Sequence, residues 1–318
     1  MGKYSNSSAR SFNTLKHSKR AERSKRKTQS KYLILLICVV VVLIVLALAT
    51  FLIMAIAHSA PPSSQKSNGK TQEISYAEAA IPSEDLYKGD LLLVNTQHKY
   101  RFLEETTLVT AAEKITTSGC VKSGSIQGNA EAFAAFDAMM KKYVEIFDES
   151  DVWLTEAYRT EAEQAGHTLA PGYSDHHTGR LLTIKKKSGD ELSSDNWIYE
   201  NCYKYGFVVR YPAGKSAQTG VSDYTYAFRY VGVAHATYMQ EHNLCMEEYV
   251  VLLQNAYASG DLLRIDGADG NSYAVYYLQN VQENTTVSLP ENFSYTASGD
   301  NTGGYIITVN LGKTSSEE

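Results

Sequence analysis

The chain has little with which to bind a metal through sulfur or to cross-link itself. Its 318 residues include four cysteines, Cys38, Cys120, Cys202 and Cys245, and no two of them stand in a Cys-x-x-Cys spacing. That excludes a zinc knuckle and a disulfide framework, which need clustered or paired thiols. Cys38 falls in an apolar run, and the odd number beyond it points to ordinary buried thiols, with a single disulfide as the alternative. A glycine-rich phosphate loop and a Gly-x-Ser-x-Gly elbow are also missing, so nucleotide-binding and serine-hydrolase readings have no starting point. Positive charge is scarce after residue 31, where 20 Lys and Arg face 34 Asp and Glu. A net charge near −14 on that part argues against nucleic acid or another anionic polymer as partner.

What is present begins with an asymmetry. Residues 1–31 carry ten Lys or Arg and one acid, Glu22. Tyr32 to Ala57 then forms an uncharged apolar run of 26 residues, against the roughly 20 needed to cross a bilayer. The run exceeds the apolar core of a cleaved signal peptide, about 7–15 residues. It reads as a transmembrane helix, with the basic tail cytoplasmic and everything after it outside the cell. A localisation follows: cell membrane, single pass, C-terminal part extracellular. Residues 58–85, with Pro61-Pro62 and many small polar residues, read as a linker. Tyr76–Ala80 is expected as a turn of helix within it.

The remainder reads as α+β, a small antiparallel sheet flanked by helices, divided into a core over 86–258 and a β-rich extension over 259–318. Leu91-Leu92-Leu93-Val94-Asn95 suits a buried strand. Phe133, Phe136, Met139, Met140, Tyr143, Val144 and Phe147 fall at helical spacing, which predicts a core-facing helix over 130–147. Val152–Leu154, Leu181–Ile184, Phe207–Tyr211 and Ala227–Val231 read as strands. Helices are expected over 194–205, closed by Gly206, then over 233–242 and 246–257. Thr160 and Glu163 have the spacing of a capping box. After Leu262, alternating and β-branched runs such as Tyr273–Tyr277 and Tyr305–Val309 indicate strands.

Between Leu91 and Tyr249 a series of short pieces resembles one family. They are Tyr158-Arg159-Thr160 with Gln164, then Pro171-Gly172-Tyr173-Ser174-Asp175-His176-His177-Thr178-Gly179. Tyr205-Gly206-Phe207, Arg210-Tyr211-Pro212, Gly214-Lys215, Thr219-Gly220 and Phe228-Arg229-Tyr230-Val231-Gly232 follow, with His235. In order and spacing they are similar to the VanY-type D-alanyl-D-alanine carboxypeptidases, zinc peptidases of the LAS-type fold found chiefly in bacteria. The resemblance implies a metal site written Ser-x-His-x-x-Gly-x-Ala-x-Asp and, later, Glu-x-Trp-His-Phe-Arg-Tyr. In that scheme two histidines and the aspartate hold zinc, and the glutamate takes the proton of the zinc-bound water.

In this chain His176 matches the first histidine. Thr183 stands for the aspartate, Ala227 for the second histidine, Tyr224 for the glutamate and Tyr226 for the tryptophan. One ligand of three is kept and the base is gone, so no catalytic residue, no metal ligand set and no zinc cofactor are expected. Adjacent His177 should point away from His176. His235 should be structural, and Asp175 and Asp223 read as solvated loop acids; a site rebuilt from His176 with Asp223 or His235 is the less favoured alternative. The resemblance also implies a ligand-binding set: Arg159 and Ser174 for a terminal carboxylate, with Tyr158 and His176. The competing reading pairs Arg159 with an internal acid and uses Ser174 to cap a turn. Three functions follow: an inactive homologue that binds peptidoglycan stem peptide or a cell-wall protein, an active carboxypeptidase with a rearranged site, or a structural module.

Overall fold

The computed structural model describes residues 74–103, 107–222, 224–257 and 261–314. All of these lie in Asn68–Glu318, the second of two units in the chain. The expected transmembrane helix over 32–57 and Asp223 lie outside the described residues. In chain order the main elements are strand β1 (Tyr76–Ala80), helix α1 (Ala130–Phe147), β2 (Val152–Glu156), β3 (Leu181–Lys186), α2 (Trp197–Asn201), β4 (Phe207–Tyr211) and β5 (Tyr224–Tyr230). Helices α3 (Val233–Glu241) and α4 (Met246–Tyr257) follow, then β6 (Leu263–Asp266), β7 (Asn271–Gln279), β8 (Thr286–Pro290), β9 (Tyr295–Gly299) and β10 (Gly304–Lys313).

The central sheet has strand order β2-β3-β5-β4, with every neighbouring pair antiparallel. Helix α1 covers one face. Asn129 caps its N-terminus by accepting from the backbone N–H groups of Glu131 and Ala132, which satisfies two of the donors that a helix start leaves open. Its stripe of Phe133, Phe136, Met139, Met140 and Tyr143 packs on Leu154, Leu182, Ile184, Phe207 and Phe228. The expected helix over 194–205 is split into α2 and a 3-10 turn, Cys202–Tyr205, which Gly206 ends at φ +83°. Cys120, Cys202 and Cys245 are buried free thiols, and the Thr160–Glu163 capping box is formed.

Three expectations change. Tyr76–Ala80 is a strand paired with β8 rather than a turn of helix; its alanine-rich local propensity yields to cross-strand pairing. Leu91–Asn95 is buried but belongs to no ladder. Its polar backbone is bound one group at a time: Leu91 N–H donates to Ser298 Oγ, Leu93 N–H to Asp300 O, and Arg229 and Arg210 donate to the carbonyls of Leu92 and Val94. Backbone groups satisfied in this way need no strand partner. The last change concerns Asp175, described with the site below.

Strands β6 to β10, apart from β8, form a second antiparallel sheet of order β9-β10-β7-β6. Alternate residues of β7 and β10 serve two cores. Val275, Tyr277 and Ile306 join Tyr238, Met246, Tyr249 and Leu253 of α3 and α4, while Ala274, Tyr276, Tyr305, Ile307 and Val309 pack with Ile81 and Val287 near β1 and β8. A sheet buried on both faces reads as a continuous apolar run, as Tyr273–Tyr277 does.

Candidate functional site

The site lies at the edge of the central sheet where two of its pairings lose register, between Leu154 and Glu156 and between Val209 and Tyr211. Such irregularities re-aim side chains and are common beside functional sites. Here they turn Glu156, Tyr224 and Tyr226 toward the same cleft as Thr183 and Lys185. The cleft has a volume of about 640 Å³ and is bounded by β2, β3 and β5 and by the turn that carries His176.

His176 stands on a 3-10 turn, Asp175–Thr178, that Ser174 caps and Gly179 closes at φ +68°. Its ring is buried, with Nδ1 2.5 Å from the carbonyl oxygen of Ala157 and Nε2 3.1 Å from the hydroxyl of Tyr224. A carbonyl can only accept, so Nδ1 carries the proton and Nε2 presents its lone pair to the phenol. The Tyr224 oxygen lies 3.2 Å from Thr183 Oγ1. Thr183 and Ala227 face each other across the β3–β5 pair. The phenol oxygen of Tyr224 therefore sits among the three positions from which the resemblance would draw zinc ligands. What surrounds that point is one imidazole whose lone pair is taken, a threonine hydroxyl and an alanine methyl. That donor set does not fit zinc, which takes three or four nitrogen, sulfur or carboxylate donors. Among the described residues no three His, Cys, Asp or Glu side chains converge anywhere.

His177 points away, as expected, with Nδ1 on the carbonyl oxygen of Arg159 and Nε2 accepting from Gly172 N–H. His235 is held between Tyr249 Oη and Thr308 Oγ1, both at 2.8 Å, and is structural. Asp175, read as a solvated loop acid, is instead 0% exposed. It accepts from Arg210 Nε and lies 3.2 Å from Arg229 Nε. Arg210 also makes two bonds to Glu247, at 2.8 and 3.0 Å. The charge is buried because these two guanidinium groups, far along the chain, enclose it from β4 and β5, and this ionic knot locks the His176 turn to the sheet.

The expected ligand-binding residues divide. Arg159, Ser174 and His176 line the cleft; Tyr158 does not. Its backbone N–H donates to Gln127 O at 2.8 Å, outside the cleft lining. Arg159 does pair with an internal acid: Glu156 binds its Nε and Nη2 together, and Gln164 Oε1 accepts from Nη1 at 3.0 Å. Ser174 does cap a turn, accepting from His176 N–H at 3.4 Å. Both structural roles are thus real, and both side chains still face the cleft. Glu156, Trp153, Lys122 and Lys185 are wall residues that the motifs did not single out. For Glu156 a signal existed, an acid three residues before the arginine.

Burial holds His176 and His235 neutral, with both pKa values pushed down to about 4; for His176 the nearby Arg159 adds to the effect. Unfolded histidine titrates near 6.5, so between about pH 6.5 and 4 the unfolded chain binds more protons and stability falls as pH falls. The contribution is complete above that window. Melting temperature is therefore expected to drop on acidification from pH 7 to 4.5, and His235→Gln should flatten the slope; equal slopes in both proteins would contradict this.

Against solved structures, the vancomycin resistance D,D-dipeptidase VanXYg, in complex with a D-Ala-D-Ala phosphinate analogue, matches over 75% of this chain and 100% of its own, with a TM-score of 0.64 and 24% identity. That likeness is one of fold. In sequence, residues 126–233 match the VanY family model, described as D-alanyl-D-alanine carboxypeptidase. A D-alanyl-D-alanine carboxypeptidase of Enterococcus faecium is 29% identical over 266 residues, covering 80% of this chain and 85% of the relative. A second, of Enterococcus faecalis, is 36% identical over 96 residues, covering 29% of this chain and 35% of the relative. The likeness to the VanY-type family is thus carried by residues 126–233.

Proposed function

We propose that the chain is a single-pass membrane protein that presents a VanY-type domain outside the cell and binds peptidoglycan stem peptide without cleaving it. The single observation that carries this reading is the Tyr224 hydroxyl set between His176 and Thr183 beside a cleft that stays open. Water activation by zinc needs a ligand set and a base together, and Ala227, Thr183 and Tyr224 supply neither. Binding needs only shape and a few placed polar groups, and the cleft offers Arg159, Ser174, Trp153 and Lys185. The carboxypeptidase relatives favour a peptide ending in D-alanine as the ligand. An open volume of about 640 Å³ speaks against a purely structural module. The 26-residue apolar run and the basic tail before it motivate the anchor.

The test uses the full chain in detergent micelles with isolated peptidoglycan. Co-sedimentation without release of D-alanine, and zinc far below one equivalent after dialysis, is the expected result. Release of D-alanine, or stoichiometric zinc, would overturn the non-hydrolytic reading.

A further inference from the structure

Among the described residues Arg159 is the one guanidinium lining the cleft, and it is already engaged. Glu156 occupies the Nε–Nη2 edge with both carboxylate oxygens, and Gln164, itself fixed by Nε2 donating to Leu169 O at 2.7 Å, takes Nη1. That edge is one of the two with which a guanidinium grips a carboxylate at two points, and Gln164 takes a donor of the other. The Arg159 side chain is only 9% exposed, whereas that of Glu156 is 35% exposed. What the ligand meets at this end of the cleft is therefore a carboxylate, not a free cation. Desolvation raises the Glu156 pKa, but the Arg159 hydrogen bonds outweigh it and keep the group below the usual carboxylate range. Glu156 is thus ionised at neutral pH.

We infer that Glu156 makes the cleft select a D-alanyl end that carries no free carboxylate, either amidated or continued through a peptide bond to another chain. This rests on the stem-peptide reading and specifies which form of that peptide is held. Each Glu156 oxygen has a lone pair left after accepting from Arg159. An amide N–H on the ligand can donate to it. A free terminal carboxylate would meet Glu156 as a like charge, and the positive charge of Arg159 is already balanced by Glu156, so the pair as a whole offers no net attraction. The positive charges that remain, Lys122 and Lys185, lie on the cleft wall near Trp153 and Tyr226, with Lys185 Nζ 4.3 Å from the Tyr226 ring centre.

The experiment titrates the full chain in detergent micelles with one acyl-D-alanyl-D-alanine peptide in two forms, free acid and carboxamide, and repeats this with Glu156→Gln and Glu156→Ser. The natural chain should bind the carboxamide at least about tenfold more tightly, a difference of about 1.4 kcal/mol. Both variants should shift the preference toward the acid by a similar factor, because Arg159 is released. Binding of the acid only after substitution would support the inference equally. A natural chain that prefers the acid tenfold, or a preference that neither variant moves, would overturn it while leaving stem-peptide binding in place. Failure of both forms to bind any of the three proteins would overturn the stem-peptide reading and this inference together.

Discussion

Replacing Thr183 by Asp, Ala227 by His and Tyr224 by Glu together should yield a chain that holds about one zinc ion, as a three-ligand site does. The geometry supports this strongly. Thr183 and Ala227 are direct cross-strand partners, which places their Cβ atoms about 4.5–5.5 Å apart. The phenol oxygen of Tyr224 lies 3.1 Å from His176 Nε2 and 3.2 Å from Thr183 Oγ1. Removing the phenol empties the point on which the new donors converge. The Thr183→Asp, Ala227→His double substitution, with Tyr224 retained, should bind far more weakly, because the hydroxyl still holds the histidine lone pair. Elemental analysis after dialysis reads both. Zinc binding the folded state also raises the melting temperature, by about 4 kcal/mol of stability at a thousandfold excess over Kd. A triple variant without zinc would mean that the frame itself has shifted, and not only its donors.

Asp175→Asn should be among the most destabilising single changes in the core. Arg229 would then lose its buried counter-charge, while Arg210 would keep Glu247. Breaking a buried pair in this way costs about 3–5 kcal/mol, which for a unit of this size is roughly 6–20 °C in melting temperature. Glu149→Gln, at an exposed acid, is the control and should stay within about 0.5 kcal/mol. If Asp175→Asn melted with the control, the buried carboxylate would be contributing nothing beyond its hydrogen bonds.

How far the sequence is legible depends on how local the cause is. The α1 stripe, the Thr160–Glu163 box and the Gly206 terminus are determined within a few residues, and all are found where spacing puts them. Thr183 and Ala227 could be read as lost ligands, and Tyr224 as the lost base, from the motifs alone. That the Tyr224 hydroxyl lands on His176 could not, since it depends on a bulge opposite Tyr211. Asp175 was misread for a similar reason: its partners Arg210 and Arg229 come from two strands well downstream, and an acid in a turn looks solvated until those strands close over it. Leu91–Asn95 has strand composition, yet the groups that satisfy its backbone belong to β4, β5, β9 and the segment after β9. Apolar content predicted its burial correctly and its pairing wrongly.

The two-faced sheet of β6, β7, β9 and β10 bears on how this gene can be cut and recombined. Its residues complete the apolar interior that α3 and α4 begin, and its other side is lined by Ile81 and Val287, near the first described strand. A stop codon after residue 258 would strip α4 of its covering layer, leaving Tyr249, Val250 and Leu253 facing solvent. Trimming the N-terminal side through Ile81 would uncover the opposite face. The heritable unit is therefore the whole span from β1 to β10, and the C-terminal strands are not an accessory that recombination could attach or discard freely.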